Sequence, residues 1–155
     1  MLLFTPDQWN FVLQREYLRG LREGGAKNAP REAVRMADRR LSALADLRVK
    51  VSLDQKNLED FQNLPQPTEE MQSLLAYLTV QAAANRSEMH TLQQAIDSLS
   101  GDEYLPVITG RYLYKKTDEE LAAELCCDPS TVRRNRVRLL RRIAVRLYGM
   151  EAIED

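Results

Sequence analysis

With 155 residues the chain is long enough for one core or two small subdomains, and its formal net charge of -1 gives the whole molecule no bias toward nucleic acid. Two adjacent cysteines, Cys126 and Cys127, and a single histidine, His90, argue against a disulfide scaffold and against a metal site with paired ligands. No apolar run approaches the roughly 20 residues of a membrane span and the first residues lack a basic n-region, so a cytoplasmic protein without membrane contact is expected.

The first predicted helix lies near the start of the chain between capping signals. Thr5 can cap it, Pro6 suits the first helical position, and Gln8 stands where a capping-box side chain reaches back. Gly24 and Gly25 end it. Apolar side chains recur between these limits at helical spacing and form one stripe: Trp9, Val12, Leu13 and Tyr17.

A second and longer helix is predicted from about Arg31 to Asn63, between the connector GGAKNAP and the break LPQPTEE. Its apolar residues follow three-four spacing, with interruptions at Arg48 and Gln55. They are Val34, Ala37, Leu41, Leu44, Val51 and Leu58.

The third predicted helix, from about Pro67 to Leu99, has the most regular pattern. Its apolar positions alternate by four and three for about four heptads, with one polar member, Asn85. We call this row the seam; it consists of Met71, Leu75, Leu78, Ala82, Asn85, Met89, Leu92, Ile96 and Leu99. Either the preceding helix covers it in an antiparallel hairpin, or a second chain covers it in a coiled coil whose register Asn85 fixes, and the two arrangements are compatible. A homo-oligomer formed through this helical region is therefore expected.

Three shorter elements follow Gly101. A helix over about Asp102 to Tyr114 precedes a capping box formed by Thr117 and Glu120, which opens the next helix. Asp128 and Pro129 then supply the N-cap and the first position of the last helix. Three residues of the first helix of this pair are expected to face inward, namely Leu121, Ala122 and Leu125. A turn this short between two helices predicts a helix-turn-helix.

The sequence therefore predicts an all-α fold in two parts. Residues 1–100 form a helical hairpin or coiled-coil region for packing and self-association, and residues 101–155 form the helix-turn-helix domain.

The last helix has two different faces. Between Pro129 and Tyr148 it carries seven arginines and no carboxylate. Its apolar face, expected to pack on the preceding helices, consists of Val132, Leu139, Leu140, Ile143 and Leu147. The opposite face carries Ser130, Arg133, Arg134, Val137, Arg138 and Arg141. A merely solvated face usually mixes charge signs and this one does not, so the pattern favours a negatively charged partner.

The segment from Leu105 to Ile143 resembles a known family. The matching residues are the pair Leu105-Pro106, the pair Arg111-Tyr112, and the stretches TDEELAAEL and PSTVRRNRVRLLRRI. They are similar to region four of bacterial sigma factors and, more closely, to phage-encoded regulators of the ArpU and RinA types. The resemblance covers about the last third of the chain and departs from the pattern at Cys126, where glycine is usual. A sigma region two is not recognisable, which argues against a complete sigma factor.

This resemblance implies a sequence-specific regulator of transcription that binds double-stranded DNA, encoded by a phage, prophage or other mobile element in a bacterial host. In a helix-turn-helix the early residues of the second helix meet base edges in the major groove, and flanking groups hold phosphates. The residues predicted to lie near bases are Ser130, Thr131, Arg133 and Arg134. Those predicted to lie near phosphates are Arg138, Arg141, Lys115 and Lys116.

Two alternatives stay open. The first is a DNA-packaging protein of the small-terminase kind, which also joins a helix-turn-helix to oligomerising helices. The second is a helical interaction module that binds RNA polymerase or another helix without touching DNA. No spacing of serine, histidine and carboxylate suggests an active site, so neither catalysis, nor a cofactor, nor a small-molecule substrate is expected.

Overall fold

The computed structural model describes residues 6–24 and 29–149, and this part of the chain is helical without a strand. Its helices are α1 (Pro6–Glu23), α2 (Ala29–Ser42), α3 (Leu44–Gln62), α4 (Glu69–Asp97), α5 (Leu105–Tyr114), α6 (Asp118–Leu125) and α7 (Pro129–Tyr148). The predicted all-α fold is confirmed. The expected contributions of Thr5, Gly25 and the Trp9 side chain lie outside what the structure describes, as do residues 150–155 of the predicted second domain.

The single helix predicted from Arg31 to Asn63 is wrong, because the chain divides at Ala43 into α2 and α3. The Ala43 amide donates to the Arg40 carbonyl, 3.2 Å away, and α3 begins directly afterwards. Packing explains the break. α2 lies mainly against α7 and α3 lies mainly against α4, so the chain must change direction between them. Leu41 and Leu44, on either side of the break, are both fully buried.

The α3–α4 pair forms the expected hairpin within one chain. Thr68 caps α4, since its hydroxyl accepts a hydrogen bond from the Met71 amide at 3.2 Å. Within the hairpin the Asn85 side-chain amide donates to the Asp54 carboxylate on α3, 3.2 Å away. Asn85 is buried, so this bond satisfies a polar group that would otherwise destabilise the seam. The polar residue of the seam therefore joins the two helices of the same chain.

One hydrophobic core draws on both predicted regions of the chain. Its most buried members come from α1 to α5 and from α7, and they include Leu18, Ala37, Leu41, Leu44, Leu92, Ile96, Leu99, Ile108, Tyr112, Leu139 and Ile143. A second, smaller cluster holds α5, α6 and α7 together and consists of Val107, Leu121, Ala122 and Val132. The predicted boundary at residue 100 thus falls inside a shared core.

Buried polar contacts tie the two regions further. Arg40 on α2 pairs with Glu88 on α4, and its guanidinium lies 5.6 Å from the centre of the Tyr148 ring on α7. The Tyr112 hydroxyl on α5 donates to the Asp38 carboxylate on α2. Burial, together with this carboxylate, raises the pKa of Tyr112 well above its usual range, so the hydroxyl stays a donor. α7 is therefore fixed against α2 and α4 at its C-terminal end.

Across the described ranges, no helix is both long enough and apolar enough to cross a membrane. Nor do the residues of those ranges bring together three side chains of the His, Cys, Asp or Glu types as a metal site would require.

Candidate nucleic-acid interface

The turn between α6 and α7 is built from local capping contacts that agree with the sequence prediction. The Thr117 hydroxyl accepts from the Glu120 amide, 3.2 Å away, at the start of α6. The Asp128 carboxylate accepts from both the amide and the hydroxyl of Ser130, each at 2.9 Å, at the start of α7. The Ser130 amide is the main reason why the pKa of Asp128 is lowered, so the carboxylate stays ionised as a cap. Three residues, 126–128, join the helices.

Cys126 ends α6 in the left-handed conformation, with φ 54° and ψ 46°. The following amide, of Cys127, donates back to the Ala122 carbonyl at 3.0 Å and closes the end of the helix. A left-handed residue at this position is usually glycine, because a side chain there is strained. The departure from glycine noted in the sequence thus falls on a residue whose backbone favours glycine.

A close contact that the sequence did not predict sets α5 against α6. A Cβ added to Gly110, which is buried on α5, would lie 2.4 Å from a methyl carbon of Leu121 on α6. A side chain at this position would have to displace the buried Leu121 side chain, so glycine favours this approach. Leu121 in turn packs with Val132, so the position of α7 depends on the fit between α5 and α6.

The two faces predicted for α7 are present, but the exposed face does not extend along the whole helix. All five residues predicted to be apolar contacts are buried. Ser130, Arg133 and Arg134 are exposed in the first two turns, and the Arg133 side chain is 54% accessible. Further along, Ala144 is buried and Arg141 is half-buried. The exposed side chains of α7 are therefore concentrated in its N-terminal half, and Arg142 and Arg146 are the exposed arginines of its C-terminal half.

Arg141 does not lie on a fully exposed face as the sequence suggested. It is half-buried and makes an interaction within the chain. The helical period of α7 alone does not reveal this partial burial.

Asp102, before α5, holds the middle of α7. Its carboxylate accepts two hydrogen bonds from Arg138, at 2.8 and 3.0 Å, and one from Arg142 at 3.4 Å. The bond from Arg138, followed by one from the Tyr104 amide, lowers the pKa of Asp102 from 3.8 to about 2. Arg138, predicted to be a phosphate ligand, thus has a bidentate carboxylate partner in the free protein.

A second carboxylate, Asp118, joins three helices at the start of α6. It pairs with Arg136 on α7, lies 3.6 Å from Arg111 on α5, and lies 4.0 Å from Arg133 on α7. Arg136 is largely buried and was not among the predicted site residues. Its place four residues after Val132, at the edge of the apolar stripe, is the sequence feature that distinguishes it from the exposed arginines.

The two predicted lysines lie beside the same carboxylate. Lys115 and Lys116 line an open cleft together with Arg111 and Asp118. Lys115 lies 3.4 Å from Asp46, in an exposed pair, and Lys116 lies 2.7 Å from Glu124. Such surface pairs contribute little to stability and exchange readily for other partners. Because Asp118 also lies beside Arg133, the structure brings the lysine cleft next to the open end of α7.

We call this region the basic surface and define it by Arg111, Lys115, Lys116, Arg133 and Arg134. Arg134 is exposed and donates to the Thr131 hydroxyl at 3.3 Å. Thr131 is itself half-buried, so it is better placed to orient Arg134 than to reach a ligand directly.

No family model, curated protein or solved structure matches the chain. What the basic surface binds is therefore inferred from its own chemistry.

Proposed function

We propose that the protein binds double-stranded DNA in a sequence-specific manner through the N-terminal half of α7, and that it regulates transcription. The observation that carries the proposal is the exposure of Ser130, Arg133 and Arg134 on the first turns of a helix that directly follows a three-residue turn. A helix with its side chains is about 10–12 Å wide, which matches a major groove of about 12 Å. α6 and α7 act as a helix-turn-helix in this proposal.

Each part of the basic surface has a separate task. Arg133 and Arg134 offer planar guanidinium groups, which donate in pairs to the O6 and N7 atoms of guanine. Ser130 and Thr131 stand at the same end of the helix, with Thr131 orienting Arg134. Lys115 and Lys116 hold phosphates beside the groove, where they exchange exposed carboxylate partners for the DNA backbone.

Asp102 and Asp118 limit how much of the arginine charge reaches the ligand. Arg138 and Arg142 both pair with Asp102, so either one can contact a phosphate only if it breaks that ion pair or binds both groups at once. Arg133 is only loosely paired, at 4.0 Å from Asp118, and its side chain remains more than half exposed. The strongest contacts with DNA are accordingly expected from Arg133 and Arg134.

The proposed setting follows from the resemblance to sigma region four and the ArpU and RinA types. The protein acts in the cytoplasm of a bacterial host, on genes of a phage or mobile element, where RNA polymerase is a further candidate partner. A second candidate function is DNA packaging of the small-terminase kind, which the partly uncovered α3–α4 hairpin favours because such proteins assemble. Light scattering separates the two, since a packaging ring contains many more chains than a regulator.

Salt dependence tests the electrostatic part of the proposal. Each phosphate neutralised by the basic surface releases counterions, so the logarithm of the binding constant for duplex DNA should fall with log salt at about -0.9 per contact. Affinity that does not change between low and moderate salt contradicts this mechanism. An absence of duplex binding even at low salt would leave the polymerase-binding interaction module as the better explanation.

Selection from randomised duplexes tests base recognition. Arg133→Ala or Arg134→Ala should cost about 1–3 kcal/mol on the selected site and relax the preference at one base pair. Arg146→Ala is the matched control, because Arg146 is also an exposed arginine of α7 but lies in the last turn. Sequence preferences that are the same in the parent, Arg133→Ala and Arg134→Ala proteins would show that α7 does not contact bases specifically.

A further inference from the structure

One face of α4, beside the seam, is covered along half of its length and open along the other half. Positions spaced by seven, four and seven residues define this row: Tyr77, Ala84, Glu88 and Ala95. Ala84 and Ala95 are buried, and Glu88 pairs with Arg40 of α2. Tyr77 is 55% exposed, and its neighbours Leu74 and Val80 are 45% and 44% exposed. The body of the protein thus covers the C-terminal half of the row only.

The seam is also incompletely covered in the outer hairpin, by which we mean residues 71–85 of α4 and the part of α3 that packs on them. Met71, Leu75 and Leu78 are half-buried, whereas Leu92, Ile96 and Leu99 further along the same helix are buried. Two helices alone have too little surface to enclose the side chains between them. Bundles of four helices, in contrast, enclose such rows on all sides. The outer hairpin therefore has the form of half a four-helix bundle.

The charge pattern of this segment indicates what covers it. From Met71 to Asn85, α4 has no formally charged side chain, although 29% of the whole chain is charged. DNA would find no cation there, and a charged protein surface would lose hydration without gaining a partner. The uncharged, apolar face of α4 is complementary to the same face of a second copy, since no like charges meet there. The exposed charges of α3 are of both signs, as in Lys56 and Glu59, so they can pair across the same contact.

We propose that a second copy of this chain docks on the outer α3–α4 hairpin, with the two α4 helices antiparallel and a two-fold axis at Tyr77. This axis places Leu74 of one chain opposite Val80 of the other, because each lies three residues from Tyr77. The two tyrosine rings meet at the centre, where aromatic pairs contribute most to an interface. A two-fold contact of this kind is closed, so it gives a dimer and not a fibre.

The area of the outer hairpin is about that of the smallest specific interfaces. Fifteen residues of helix, 71–85, span about 22 Å, and two helices side by side are roughly 20 Å wide, so the two copies together cover on the order of 900 Å² as a flat projection. Interdigitated side chains bury more surface than a flat projection, which brings the contact to the roughly 1,000 Å² of the smallest specific interfaces.

The mass of the full-length protein in solution, measured by light scattering over a range of concentrations, tests the proposal without DNA. We expect a dimer for the parent and a monomer for Tyr77→Glu, with equal helical content by circular dichroism. Leu13→Glu is the matched control, because Leu13 is also a large exposed apolar side chain, at 60%, but lies on α1, outside the hairpin; it should remain a dimer. A monomeric parent, a larger ring, or a dimer that Tyr77→Glu leaves intact would overturn the proposal.

Cross-linking tests the position of the axis. Under mild oxidation Tyr77→Cys should form a disulfide with position 77 of its partner, while Leu13→Cys, on α1, should not. Peptide mapping separates this bond from any that involves Cys126 or Cys127. A Tyr77→Cys protein that forms no such bond would overturn the antiparallel arrangement. Because Arg134→Ala should stay dimeric, failure of the DNA-binding proposal and failure of the dimer are distinguishable.

Discussion

The two longest described helices, α4 and α7, are built alike and differ in what they leave open. The C-terminal half of each is buried in the shared core, through Leu92 and Ile96 in α4 and through Leu139 and Ile143 in α7. The N-terminal half of each is partly open. On α4 the open half is uncharged from Met71 onward, and on α7 it carries exposed arginines. One architecture can thus present two partner surfaces, and the side chains on the open half determine the class of partner that each one suits.

Damage to the shared core should affect both surfaces, whereas damage to an open half should affect only one. The largest expected effect is therefore a truncation in the covered half of α4. Leu92→Ala should lower the free energy of unfolding by about 2–5 kcal/mol, the usual cost of removing a buried leucine side chain. Leu78→Ala, in the same seam but half-buried, should cost clearly less. Denaturant unfolding of both variants measures the difference, and equal losses would mean that the outer seam is as well packed as the inner one.

A change at Gly110 should disturb the contact between α5 and α6 that positions α7. Gly110→Ala places a Cβ against Leu121 and should destabilise the protein by about 1–3 kcal/mol through overpacking. Gly20→Ala, in α1, meets no neighbouring atom and should not destabilise the protein. Thermal unfolding compares the two variants. A neutral Gly110→Ala would show that α5 and α6 can move apart, and that α7 does not depend on their contact.

Removing the charge of Asp102 should lower the stability of the protein and raise its affinity for DNA. Its pKa in the folded protein, about 2, lies below its ordinary value of 3.8, so its ion pair stabilises the fold above about pH 4 and is lost as the pH falls through 2. Since Arg138 is 44% exposed and solvent screens the pair, Asp102→Asn should cost about 1 kcal/mol at neutral pH. The difference from the parent should shrink below pH 4.

The same substitution frees Arg138 and Arg142, so Asp102→Asn should also bind duplex DNA more tightly than the parent. Unfolding curves against pH and binding titrations measure the two effects. An unchanged affinity would place Arg138 outside the DNA contact.

The smallest expected effect is at Cys126. Cys126→Gly should raise the stability by about 0.5 kcal/mol, because relief of left-handed strain exceeds the added freedom of the unfolded chain. Cys126→Ala should give no such gain, since alanine has the same strain. Paired melting curves are the measurement, and an equal result for glycine and alanine would show that strain at the turn is negligible.

Features that depend on neighbours in sequence could be predicted, and those that depend on distant neighbours could not. The caps at Thr117 and Asp128 were predictable because a side chain and the amide it binds are two or three residues apart. The break at Ala43 results from the packing of α2 on α7 and of α3 on α4, and the half-burial of Arg141 depends on a contact within the folded chain. No local pattern specifies either one.

The same distinction applies to the candidate interface. Sequence periodicity placed Arg133 and Arg134 on the exposed side of α7, and the structure agrees. It did not reveal that Asp102 holds Arg138 across 36 residues, or that Asp118 holds Arg136 across 18. An arginine-rich helix predicts positive charge, but the number of arginines left for a ligand depends on which carboxylates the fold brings near.

Contacts between distant parts of the chain also determine when the core and the basic surface can form during synthesis. The Arg22 guanidinium donates to the Gly149 carbonyl at 2.7 Å, and Arg40 hydrogen-bonds the Tyr148 hydroxyl at 3.4 Å, across 127 and 108 residues respectively. A nascent chain that ends before α7 therefore exposes the buried side of α2 until the last helix emerges from the ribosome. Such non-local closure slows folding and lengthens the time in which apolar surface is exposed. Only when α7 docks does the chain acquire both its finished core and its basic surface, so no earlier fragment carries an assembled candidate interface.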